Sequence, residues 1–353
     1  MAKALYKILV VDDSSLIRQA IVDIINSSDD LQVVGQASSG AEALALIPKL
    51  KPDLVTLDII MPGMNGLTTL KHIMIFSPVP TVMLSSLAQE GADITFDALR
   101  YGAIDFIAKP SKLENSEVLK NQARQIIQKI RLAARVKVNA IQYIRVNPKA
   151  KIELGLPLQK ACKNIVALGV AEGGYGTLLK IILRLTPYPA TAYMVIFYET
   201  SAHVDGFIKY LNQYTAVKVQ RPQNNTLLEA GVCYISSGEE YVTVHGQRGS
   251  VVSYVSPAPF SSRRGTIDML MFSVAETVGR YSLGVVLSGE GTDGSEGLEE
   301  IVRVGGGAII QAPVSCLYKG MALSALDMCE AEVVVADTEI AAEIVKFLPK
   351  LNF

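Results

Sequence analysis

Ile165-Val-Ala-Leu-Gly-Val-Ala-Glu-Gly-Gly-Tyr-Gly176 decides how this chain folds. It opens with an unbroken apolar run, the pattern of a strand covered on both faces. The paired glycines let the backbone reverse, and the residues after them open a helix. Strand, glycine turn and helix together are the unit of an α/β fold. Outward from this stretch the rhythm continues, with strand-like segments at 193–197, 284–287, 308–311 and 332–336. Three shorter segments at 232–236, 241–244 and 251–255 are closely spaced and separated by turn residues. They are expected as antiparallel strands attached to one side of an otherwise parallel sheet.

The first third of the chain has the same rhythm. Apolar runs at 7–11, 32–35, 53–57, 81–84 and 104–107 alternate with amphipathic helical segments. Leu16, Ile17, Ala20, Ile21, Ile24 and Ile25 recur at helical spacing and predict one buried stripe. Five strand–helix units predict a flavodoxin-like, doubly wound domain. The Gln/Arg/Lys-rich segment 113–136, with Ile126, Ile127 and Ile130 on one face, predicts its last helix running on into a linker. Asn147-Pro148 and Gly155-Leu156-Pro157 break the periodicity and place a hinge at 146–158. The expected division is therefore 1–112, a helix and linker over 113–160, and a second α/β domain over 161–353.

At 353 residues the chain has room for two cores. Thirty-three basic residues balance thirty-four acidic ones, which argues against a nucleic-acid partner or a membrane surface. No apolar run reaches the ~20 residues of a membrane span. The N-terminus leads directly into a strand, with no cleavable signal. Cys162, Cys233, Cys316 and Cys329 lack the spacing of a zinc or redox site; Cys233 and Cys316, in apolar stretches, are expected as reduced core residues, and the expected location is the cytoplasm.

In an open parallel sheet the functional crevice lies beyond the carboxyl ends of the strands. Asp12-Asp13, Asp58, Ser85 and Lys109 follow four different strands and should converge there. Three carboxylates in one place repel one another unless a hard cation such as Mg²⁺ neutralises them. Asp58 would then act as a nucleophile toward a phosphoryl donor, with Ser85 and Lys109 holding the phosphoryl oxygens. Singly, each residue has a duller explanation: Asp12 or Asp13 as a helix cap, Lys109 as a loop cation, Ser85 as a turn hydroxyl. The motifs Val-Val-Asp12-Asp13, Asp58-Ile-Ile-Met-Pro-Gly-Met-Asn-Gly66, Ser85-Ser86 and Gly102-Ala-Ile-Asp-Phe106-Ile-Ala-Lys109-Pro110 resemble the receiver domain of two-component response regulators over 5–112. The resemblance implies phosphorylation of Asp58 by a histidine kinase, with Ser85 and Phe106 as the side chains that signal it.

Segments 165–176, 194–200, 261–274, 284–297 and 308–321 resemble the C-terminal domain of the chemotaxis protein-glutamate methylesterase family. Such enzymes cleave receptor glutamate methyl esters, and often deamidate receptor glutamines, with a Ser-His-Asp triad. The three positions fall here on Ala171, Glu199 and Asp293. A methyl group cannot attack an ester, and a carboxylate is a far weaker base at neutral pH than imidazole. Asp293, in Asp293-Gly-Ser-Glu296, is expected to cap the following helix. Tyr175, Thr177 and Ser288 stand off the nucleophile position, and His203 lies four residues beyond Glu199. Ser237 and Ala322 also replace prolines usual in the family, and His72 and His245 are expected to be incidental.

Glu172, Glu199, Glu290 and Asp293 all follow parallel strands and are a candidate cation or basic-peptide site, the alternative being helix capping or solvation. The expected function is a phosphorylation-controlled chemosensory regulator whose effector domain binds rather than hydrolyses. Its expected partners are the array's histidine kinase, chemoreceptor cytoplasmic tails or other adaptation proteins. The alternatives are an active methylesterase/deamidase with an atypical site and a phosphate sink for the kinase.

Overall fold

The computed structural model describes residues 5–85, 92–110, 116–136, 161–258 and 265–352. The expected hinge at 146–158, Ser86 and residues 261–264 lie outside that description. The chain divides into two compact units, Met1–Ile144 and Arg145–Phe353. Among the described residues no helix is long and apolar enough to cross a membrane.

The first unit runs β1 (Tyr6–Val11), α1 (Ser15–Asn26), β2 (Leu31–Ala37), α2 (Gly40–Leu50), β3 (Leu54–Asp58), α3 (Gly66–Phe76), β4 (Thr81–Ser85), α4 (Ala92–Arg100), β5 (Asp105–Ala108) and α5 (Ser116–Ala133). Its parallel sheet has the order β2-β1-β3-β4-β5, a doubly wound arrangement. Helix starts are set by short polar side chains. Ser14 accepts from the Ile17 N–H at 3.4 Å, and Asn65 accepts from the Thr68 N–H at 2.9 Å. The core joins Ile8, Val10, Leu54, Val82 and Leu84 of the strands to Ile21 and Ile25 of α1 and to Ile126 and Ile130 of α5. The α1 stripe is narrower than its periodicity predicts, because Leu16 is exposed. That residue sits in the first turn, and the buried positions begin at Ile21.

The second unit begins β6 (Asn164–Val170), α6 (Tyr175–Ile182), β7 (Thr191–Phe197), α7 (Ser201–Tyr214), β8 (Lys218–Gln220), β9 (Thr226–Leu227) and β10 (Val232–Ser237). It continues β11 (Glu240–Gln247), β12 (Ser250–Pro257), α8 (Thr266–Val278), β13 (Ser282–Val286), α9 (Ser295–Arg303), β14 (Gly307–Gln311), α10 (Gly320–Met328), β15 (Val333–Val335) and α11 (Ile340–Phe347). A seven-stranded parallel sheet, β15-β14-β13-β6-β7-β10-β8, forms the centre. A separate antiparallel sheet, β11-β12-β9, packs against α8.

This corrects the reading of 232–236 as antiparallel. β10 is buried along its whole length and runs parallel to β7, whereas β11 and β12 alternate between buried and open positions. A strand covered on both faces belongs inside a parallel sheet, and one covered on a single face belongs to an antiparallel layer. All four cysteines lie in this unit, buried and unbridged.

Candidate functional sites

In the first unit β1, β3, β4 and β5 deliver their carboxyl ends to one crevice. The Lys109 ammonium lies 2.9 Å from Asp12 Oδ2 and 2.8 Å from Asp58 Oδ1. The Ser14 N–H donates to Asp12 Oδ1 at 2.9 Å, and the Ile60 N–H to Asp58 Oδ1 at 3.3 Å. Asp58 Oδ2 is buried with no hydrogen-bond partner. Burial pushes the Asp58 carboxyl above the usual range, with Lys109 pulling the other way and Asp12 adding to the rise. Burial also works against the Lys109 charge, but its bonds to Asp58 and Asp12 outweigh it and hold the ammonium above an ordinary lysine.

Ligand oxygens of Asp12, Asp13 and Asp58 lie within 4.8 Å of one another. Three hard oxygen donors, one with an orphaned buried oxygen beside it, are a set that suits a hard divalent cation. Gly66 makes this geometry possible, since a Cβ there would fall 1.9 Å from the Asp58 carbonyl oxygen. Ser85 is buried at the end of β4, and its carbonyl accepts from the Lys109 N–H at 2.9 Å. Phe106 is half-buried on β5, with the Lys129 ammonium 5.3 Å from its ring centroid.

In the second unit the turn after β6 is closed. Ala171 is 1% exposed. Its N–H donates to the Ser288 carbonyl at 2.9 Å, and its carbonyl accepts from Gly174 at 3.1 Å. Gly173 adopts φ +72°, and a Cβ there would strike Leu317 and Tyr318. Added to Gly289, a Cβ would meet Met321 Sδ at 2.2 Å and Ala171 Cβ at 2.7 Å. The alanine methyl therefore sits in a tightly filled corner. Ser288 is fully buried and fully engaged: its hydroxyl lies 3.2 Å from the carbonyls of Glu172 and Tyr318 and accepts from the Tyr318 N–H at 3.1 Å.

Glu199 Oε2 lies 3.4 Å from His203 Nδ1, and this carboxylate raises the imidazole above its ordinary value. Thr200 caps α7, accepting from the His203 N–H at 3.4 Å. Asp293 is buried and accepts from the Tyr198 hydroxyl, from the Ile267 N–H at 3.2 Å and from the Asp268 N–H at 3.0 Å. It thus caps α8, and the expectation that it caps α9 is corrected. Gly294, at φ +91°, turns the chain between Asp293 and α9, which has no side-chain cap on its preceding residue. Burial and the neighbouring Asp293 carboxylate push the Tyr198 phenol upward.

The four acids are not gathered into a cation site. Asp293 is buried in its own bonds and Glu199 faces His203. Glu172 and Glu290 are exposed, linked by a 3.4 Å bond from the Glu290 N–H to Glu172 Oε2. His72 bonds to the Thr68 carbonyl and stacks on Phe76, and His245 faces Thr243 and Tyr254. Tyr198 and Asp268 escaped the sequence reading. A tyrosine beside Glu199 and a first-turn aspartate give no local sign that they meet Asp293.

Comparison with known proteins places these sites in a family. Residues 166–344 match the profile described as CheB methylesterase, and 8–121 match the response regulator receiver domain. A protein-glutamate methylesterase/protein-glutamine glutaminase of Pyrococcus horikoshii is 36% identical over 346 residues, covering 96% of this chain and 93% of that one. One of the same name from Archaeoglobus fulgidus is 34% identical over 349 residues, covering 98% and 99%. The crystal structure of the Thermotoga maritima CheB methylesterase catalytic domain superposes with a TM-score of 0.50 at 21% identity, covering 53% of this chain and all of that one. That match shows a shared fold.

Proposed function

The chain belongs to the CheB methylesterase family, a response regulator receiver domain followed by a CheB methylesterase domain, and from that premise we propose a phosphorylation-controlled regulator that binds without hydrolysing. The receiver and its helix and linker take up 1–160, and the effector 161–353. Asp58 Oδ2 attacks the phosphorus of a kinase phosphohistidine: the P–O bond forms, the P–N bond breaks, and the imidazole leaves. Lys109 moves its charge from the Asp58 carboxylate to a phosphoryl oxygen, and the Ser85 hydroxyl donates to another. Asp12, Asp13 and Asp58 would hold a Mg²⁺ ion, whose chemistry is to neutralise the gathered negative charge. Phe106, on the strand beside Ser85, carries the change outward. The partners are a chemosensory histidine kinase and, for the effector, chemoreceptor cytoplasmic tails or other adaptation proteins.

One observation carries the loss of hydrolysis: the nucleophile position is Ala171, 1% exposed and packed by Gly289 and Met321. A second reading has the Glu199–His203 pair on its side, since a carboxylate beside an imidazole is a general-base arrangement. It assigns this chain the activity for which its relatives are named, with water as nucleophile. The test is methanol release from methylated receptor fragments by the full-length protein, with and without phosphorylation, read alongside mass spectrometry of the receptor glutamates. The proposal expects no release above buffer and receptor binding that depends on Asp58. Methanol release abolished by His203→Ala would establish the second reading. Full complementation of a deletion by the receiver alone would make the protein a phosphate sink.

A further inference from the structure

Strand register decides which side chain at the end of β7 meets Asp293. β6 and β7 run parallel in step, from Asn164 beside Thr191 to Val170 beside Phe197. One residue further on, the Tyr198 N–H donates to the Val170 carbonyl at 3.0 Å, which sets Tyr198 beside Ala171. Side chains alternate between the two faces of a strand. Ala167, Ala171, Met194, Ile196 and Tyr198 accordingly share one face, and one core with Ile267 of α8. Gly169 belongs to the same row, since a Cβ there would meet Ile267 Cγ2 at 2.3 Å. Phe197 points the other way, edge-on to Tyr175 of α6 and against Phe207 of α7.

Asp293 reaches that row from the turn before α9. It holds the Ile267 and Asp268 N–H groups of α8 at 3.2 and 3.0 Å, and it accepts from the Tyr198 hydroxyl. Glu199 is carried off the row. Its N–H donates to the Phe197 carbonyl at 2.7 Å, so the chain turns at Tyr198. Its carboxylate then faces the start of α7, 3.4 Å from His203 Nδ1. Tyr198 and Asp293 are buried, whereas the Glu199 side chain is 27% exposed. In a Ser-His-Asp triad the base is the side chain that the buried carboxylate holds, next to the nucleophile. Tyr198 meets both conditions and Glu199 neither.

We propose that Tyr198, not Glu199, stands where the triad base would stand, and that its hydroxyl, bonded to Asp293, locks the position. This corrects the placing of the base position on Glu199. The placement stands on geometry; the lock rests on, and deepens, the reading that this domain binds without hydrolysing. A neutral phenol has one proton to give and an ordinary value near ~10. Burial and the Asp293 carboxylate push the Tyr198 phenol higher still. At neutral pH it therefore donates to Asp293 and takes no proton from a nucleophile. Asp293 keeps the carboxylate's place in the triad, with a phenol where an imidazole would be and a methyl group where a hydroxyl would be.

Two histidine exchanges in the full-length protein separate the two positions. In Tyr198→His the imidazole should lie against Asp293, so adding Asp293→Asn should lower its NMR titration midpoint by about one unit or more. In Glu199→His the midpoint should not move when Asp293→Asn is added. Activity gives a second readout. Combined with Ala171→Ser, Tyr198→His should raise methanol release from methylated receptor fragments about tenfold or more over Ala171→Ser alone, part of the ~10²–10⁴ that a general base supplies. Glu199→His in the same background should add nothing. An imidazole at position 198 whose midpoint ignores Asp293 overturns the proposal. So does release restored by Glu199→His and not by Tyr198→His. Methanol release by the wild type would sink the non-hydrolysing reading and the lock with it, while the titrations would still decide where the base position lies.

Discussion

Asp58 ends one parallel strand and Ala171 follows another, and they differ in what surrounds them. Around Asp58 the backbone leaves one carboxylate oxygen without a partner and brings an ammonium to the other. Around Ala171 the backbone N–H and carbonyl are both bonded, and Gly289 lies too close to its methyl to carry a side chain. Ala171→Ser should therefore leave methanol release at background. Position 199 remains a carboxylate, and Asp293 remains held by Tyr198 and α8. A hydroxyl buried in that corner without a partner would also cost roughly 1–3 kcal/mol, readable as a lowered Tm. The identity of this residue was legible in the sequence, and its burial was not. Burial depends on Gly289 and Met321, more than a hundred residues along the chain.

Among the elements, α5 owes its place to two ion pairs as well as to its apolar face, one of them between Lys129 and Asp105 of β5 at 2.9 Å. The Arg131 guanidinium grips Asp30, at the start of β2, with bonds of 2.6 and 2.8 Å, and Ser28 with one of 3.1 Å. Those bonds hold the Asp30 carboxyl well below the usual range. A depressed carboxyl contributes stability above its unfolded value and loses it as the pH drops through the folded one. Arg131→Ala should destabilise the first unit by about 1–2 kcal/mol at neutral pH, the partial exposure of the arginine trimming its worth. Denaturant melts should show the gap closing in strong acid. Continuous apolar runs made β1, β3, β4, β6, β7, β13 and β14 readable in advance. β8 and β9, three and two residues long, carry no periodicity to read. Asp293 was assigned to the wrong helix because Asp-Gly-Ser-Glu has the local form of a capping box, while its actual partner lies 25 residues upstream.

The chain carries a receiver domain whose crevice gathers Asp12, Asp13, Asp58 and Lys109, and a second unit whose corner at Ala171 is filled. The expected receiver boundary at 112 precedes α5, yet Ile126, Ile130 and Ala133 of that helix lie in the receiver core. Composition marked 113–136 as polar because a helix covering a sheet shows most of its surface to water. The burial of the cysteines adds one more property. Cys162, Cys233 and Cys316 have thiols pushed up to about 12 by burial, and Cys329 is raised as well. Thiolate is the reactive form, so a native protein at neutral pH should alkylate at a small fraction of the rate of a free cysteine. The receiver contains no sulfhydryl at all. Maleimide uptake is thus a built-in clock for the second unit alone, and its rate, followed by intact mass, times the unfolding of one half of the chain while the other stays silent.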